Sequence, residues 1–95
     1  MIGAARTVTV DVTPDDIAVG LPGDACHCPV ARAISRATGR VAFVDWAGRM
    51  VRLGVVGDPD AIDGIALPAD VSSAIWAFDL GGVMKPFSFE LEVAA

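Results

Sequence analysis

The sequence predicts a small α+β domain. Its expected order is β-α-α-β-β-α-β, a four-stranded antiparallel or mixed sheet with helices packed on one face. Three features carry that prediction. Residues 6–12 and 87–93 alternate apolar and polar side chains, the period of a half-buried strand. Residues 29–38 and 69–80 have apolar positions at helical spacing, a proline at or just before the start and glycine after the end. Between them, the apolar segments 41–46 and 49–56 flank Ala47-Gly48, a plausible two-residue hairpin turn. Alternating strands belong to antiparallel sheets with one wet face, and separate helices then cover the other.

The first strand sets Val8, Val10 and Val12 against Thr7, Thr9 and Asp11. Thr13 caps a short helix with Pro14 at its first position, Asp15 and Asp16 in its first turn and Gly20 after its end. Ile17 and Val19 are expected to anchor it, with both aspartates solvated. Leu21-Pro22-Gly23-Asp24 reads as a turn.

Pro29 suits the first turn of the next helix, since its missing N–H has no partner to lose there. Cys28 then sits at the cap. Val30, Ala33, Ile34 and Ala37 form one face, and Gly39 is placed for a left-handed C-cap. After the hairpin, residues 57–66 read as a polar loop. Its Asp58, Asp60 and Asp63 lack the bidentate Glu and the full pattern of a calcium loop, so no metal is expected. In the last helix Val71, Ile75 and Phe78 share a face with Ala74 beside them. Trp76 lies off that face, where it either covers the helix edge or meets a partner. Phe87, Phe89, Leu91 and Val93 alternate with Ser88, Glu90 and Glu92 in the final strand.

Ninety-five residues make a single domain, 1–95. A net charge of −5 gives no overall attraction for phosphate backbones, so no nucleic acid is expected as partner. No apolar run approaches the roughly 20 residues of a membrane span. The first residues lack a cationic-then-apolar signal pattern, which places the expected location in the cytoplasm. The apolar fraction is 54%, high enough in so small a domain that a second copy or a partner is expected to cover some of it. A homodimer is the expected form, through strand edges or the surface around Trp76.

Chemistry concentrates in residues 23–34. Asp24, Cys26, His27 and Cys28 form a candidate functional cap. Cys26, His27 and Cys28 are all the cysteine and histidine in the chain, too few for a zinc site. A disulfide between Cys26 and Cys28 would close a very tight ring and is unfavoured in a reducing compartment. A helix N-terminus favours a thiolate, which makes Cys28 the one candidate nucleophile for a cysteine-dependent enzyme. His27 would be its base and Asp24 the orienting group, although adjacent residues seldom face each other. The alternative is a small buried hydrophobe at the cap, completed by Asp24 or a neighbouring backbone group. Arg32, Arg36 and Arg40 either line one patch for a small anion such as a nucleotide, or form a solvated helix face. Gly20-Leu21-Pro22-Gly23 lacks the Lys and Ser/Thr of a phosphate loop, and no cofactor is expected.

Two blocks resemble a family of small phage and prophage proteins of unknown function, from tailed phages of actinobacteria and marine bacteria. The first is Asp16-Ile17-Ala18-Val19-Gly20, then Cys28-Pro29-Val30-Ala31-Arg32-Ala33-Ile34. The second is Leu67-Pro68, then Ile75-Trp76-Ala77-Phe78-Asp79, a glycine turn, and Val83-Met84-Lys85-Pro86-Phe87-Ser88-Phe89-Glu90-Leu91. The likeness runs from residue 7 to 91. Members often carry a more separated cysteine pair than the Cys-His-Cys found here. The resemblance implies a phage accessory protein in the host cytoplasm and no reaction. With an incomplete catalytic set and an acidic surface, the expectation is a non-catalytic protein that binds and modulates a host or phage protein, with Trp76 on the partner surface.

Overall fold

The computed structural model describes residues 5–45, 48–55 and 57–94. Their elements are β1 (Ala5–Val12), α1 (Pro14–Val19), α2 (Pro29–Thr38), β2 (Ala42–Val44), β3 (Met50–Leu53), β4 (Ile62–Ala66), α3 (Ala69–Asp79) and β5 (Phe87–Ala94). The class is α+β, as the sequence predicts. The four-stranded sheet is corrected: the described residues form two antiparallel sheets, β1-β5 and β2-β3-β4.

The unforeseen strand is β4, within the segment expected to be a loop. Its apolar residues Ile62 and Ile65 are three apart, so period two is broken. Gly64 stands between them at φ 72°, and the β3–β4 register shifts between Val51 and Leu53. The strand β3 ends at Leu53 rather than 56. Gly54 turns the chain at φ 109°, and a Cβ there would lie 2.9 Å from Asp58 Oδ2. Trp46, Ala47 and Val56, which entered the hairpin expectation, lie outside the described residues.

The β1–β5 pair behaves as its alternation requires. Val10 faces Phe89 and Val8 faces Leu91 across the ladder, and Val10, Val12, Phe89, Leu91 and Val93 are buried. Thr7, Thr9 and Asp11 pair with Glu92, Glu90 and Ser88 on the wet face. The helix α2 packs on both β1 and β2 and so joins the two sheets through one core. Val30, Ala33 and Ile34 are fully buried in that contact. Ala37, expected on the same face, is exposed, because the burial of α2 is confined to residues 29–34.

Two side chains of α1 depart from expectation. Val19 is exposed: two residues from Ile17, it points away from the face that packs. Asp16 is not solvated but buried, and Thr13 and Asp16 form a reciprocal capping box. Ser72 Oγ, in α3, donates to the Gly48 carbonyl at 2.6 Å. A Cβ on Gly48 would lie 3.0 Å from Ile75 Cγ2, so the absent side chain lets α3 settle on this turn.

Candidate functional site

Three elements converge at one end of the molecule: the 21–28 loop, the end of β2 and the second half of α3. Short-range hydrogen bonds close the loop. Leu21 N–H donates to the His27 carbonyl at 2.8 Å, and Cys28 N–H to that of Asp24 at 3.2 Å. Two longer links fix its place. Val44 N–H donates to the Ala25 carbonyl at 2.9 Å, and Gly23 N–H to Asp79 Oδ1 at 2.8 Å. The loop therefore hangs from β2 on one side and α3 on the other.

Between these elements lies an open cleft of about 300 Å³. Ala25, Val44, Ile75, Trp76 and Leu80 supply apolar walls, and the side of Cys28 closes part of the base. Asp24, Asp45 and Asp79 bring three carboxylates to it, and among the described residues no Arg or Lys lines it. Each carboxylate is positioned by backbone donors. Asp24 Oδ1 accepts from the N–H groups of Cys26 and His27, both at 3.0 Å. Asp45 Oδ1 accepts from Arg49 N–H at 2.8 Å. Trp76 is half-exposed beside them, and Leu80 more so.

The structure separates the four cap residues by role. Cys28 is the N-cap of α2: its Sγ accepts the Ala31 N–H at 3.4 Å, and it is buried. Burial pushes its thiol up, outweighing the helix N–H groups that pull the other way. Cys26 is half-buried, and burial followed by the Asp24 charge pushes its thiol up as well. His27 is exposed and turns its Nδ1 to Asp24 Oδ1 at 2.9 Å. The Cys26 N–H, then the His27 ring, hold the Asp24 carboxyl below the usual carboxylate range. The histidine and the carboxylate thus act on each other, while Cys28 is engaged by its own helix.

The three arginines do not share a free patch. Arg36 Nη1 and Nη2 donate to Asp16 Oδ1 and Oδ2, each at 2.7 Å, and Nη2 also donates to the Asp11 carbonyl. Arg32 Nε comes within 3.8 Å of the same carboxylate. Arg40 turns instead to the 58–60 loop, donating to Asp58 Oδ2 at 2.7 Å and to the Asp60 carbonyl. An internal carboxylate already occupies the position where two of these guanidiniums meet. The Arg36 contact holds Asp16 down to about 2, against the opposing effect of its burial.

No protein-family model matches this chain, and comparison with curated proteins and with solved structures gives no match.

The residues that sequence reasoning missed are Asp16, Asp45, Asp79 and Leu80. Asp16 had a legible signal, the Thr-x-x-Asp spacing of a capping box. The two cleft aspartates had none, because what unites them with Asp24 is tertiary: 21 and 55 positions of sequence separate them from it. No cluster of three or more His, Cys, Asp or Glu with metal-holding geometry exists among the described residues.

Proposed function

We propose that this chain is a non-catalytic accessory protein of a tailed phage that binds and modulates a host or phage protein in the host cytoplasm. The surface that ends α3 carries the reading. Trp76 is 50% exposed, Leu80 76% and Val83 89%, and the first two flank the cleft. Large apolar side chains next to an open cavity are a feature of docking surfaces, and Trp is a frequent anchor of binding energy. The resemblance of the two sequence blocks to small phage proteins adds the setting. Among the described residues no helix is long and apolar enough to cross a membrane.

The two other readings draw less support from the geometry. A thiol pushed up by burial supplies little thiolate near neutral pH, which weighs against a cysteine-dependent enzyme. Guanidiniums already paired with Asp16 and Asp58 would have to leave those carboxylates to hold a nucleotide.

Affinity capture with the tagged full chain tests the proposal, using lysate of an actinobacterial host. The expected result is one protein recovered repeatedly by the wild type and lost with the Trp76→Ala, Leu80→Ala double variant. Repeated capture with no specific partner would contradict the proposal. A partner held equally by both forms would move the binding surface elsewhere.

A further inference from the structure

We infer that the cleft receives an arginine side chain from a segment of the partner protein, its guanidinium against Trp76 and among Asp24, Asp45 and Asp79. This inference rests on the protein-binding reading above.

Charge selects the ligand. Three carboxylates border a cavity with mostly apolar walls, and none of the described residues lining it is basic. For Asp24 and Asp79 the hydrogen bonds among the described residues all fall on Oδ1. Their Oδ2 atoms remain to accept from a ligand. The backbone holds these groups in place before any ligand arrives, which lowers the ordering cost of binding.

Shape selects arginine within the cationic class. Its aliphatic stem suits the walls made by Val44 and Ile75, and its flat cation suits the indole of a half-exposed Trp. A planar fork of donors also matches separate carboxylates better than a point charge does. A polypeptide source follows from what lies beyond the cleft. Leu80 extends the apolar surface outward, so the ligand needs apolar groups next to its cation, which a small free amine lacks.

The test is amide NMR of the isotopically labelled full chain. It is titrated with the capped peptide acetyl-Ala-Leu-Arg-Leu-Ala-amide and with its citrulline analogue, which keeps the shape and removes the charge. The arginine peptide is expected to shift amides of residues 23–25, 44–45 and 75–80. The citrulline peptide is expected to bind at least about tenfold more weakly. Asp45→Asn with Asp79→Asn keeps on each residue the one oxygen that accepts a backbone N–H, and removes two charges. It is expected to weaken the arginine peptide by about tenfold or more while the remaining amides keep their positions. Equal binding of the two peptides, shifts away from the cleft, or no shift at millimolar peptide overturns the inference. So does a dimer at micromolar concentration that Trp76→Ala dissolves, since a second copy would then be the occupant. If lysate capture succeeds through Trp76 while the peptide fails, the arginine inference falls alone. If the peptide binds and capture finds no partner, the accessory-protein reading falls.

Discussion

The guanidinium of Arg36 closes as a fork on the carboxylate of Asp16, Nη1 to Oδ1 and Nη2 to Oδ2, both at 2.7 Å. Asp16 is buried and Arg36 is half-exposed, so the pair seals α1 onto α2 with its charged head partly wet. Removing the arginine leaves the buried carboxylate with Thr13 and the more distant Arg32 alone. Arg36→Ala is expected to cost about 2 kcal/mol, between the values of exposed and fully buried pairs. Arg36→Lys keeps the charge without the fork and should cost less. Urea unfolding of the three proteins checks the order.

The same pair sets an acid limit. Asp16 lies at about 2 in the folded chain against 3.8 ordinarily. A depressed carboxyl stabilises the fold above its unfolded value, and that stability is lost as pH falls from near 4 through about 2. The contribution is about 2 kcal/mol. The stability difference between wild type and Asp16→Asn, from urea midpoints, should therefore shrink over this window. A difference that stays constant from pH 6 to pH 2 would refute the assignment.

The thiols should differ in reach. Cys28 is 4% exposed and capped onto Ala31, whereas Cys26 is half-buried. A thiol reagent at neutral pH is expected to label Cys26 first and Cys28 only as the fold opens. Mass spectrometry of the timed reaction reads the order, and simultaneous fast labelling of both would contradict it.

Two glycines separate crowding from backbone strain. A Cβ at Gly20 would lie 2.6 Å from both the Asp16 carbonyl oxygen and the Pro29 ring. Gly23 has open space around it but a φ of 71°. Gly20→Ala is expected to cost about 2 kcal/mol through overpacking. Gly23→Ala should cost about 1 kcal/mol through its left-handed backbone alone. Thermal unfolding ranks them.

Most of the fold was legible where local chemistry and tertiary packing agree. Thr13-Pro14, Cys28-Pro29 and Gly39 mark helix ends in the sequence and are helix ends in the structure. The alternation of β1 and β5 gives their buried and wet faces directly. Legibility ended where pairing alone makes the element. The β4 strand has Asp63-Gly64 at its middle and owes its extension to β3. The pairing of the arginines was illegible for a related reason. Spacing put Arg32 and Arg36 on one helix face, but only the fold shows that Asp16 fills the position between them. The cleft joins residues from the loop, β2 and α3, and neither periodicity nor spacing brings Asp24, Asp45 and Asp79 together.

The docking surface proposed above lies at the end of α3. Site-specific photocrosslinking tests it most directly, with benzoylphenylalanine at Leu80 and, as control, at Thr9 on the wet face of β1, in actinobacterial cells expressing the full chain. A discrete adduct with one protein is expected from Leu80 and none from Thr9. An adduct from Thr9 with none from Leu80 would contradict it.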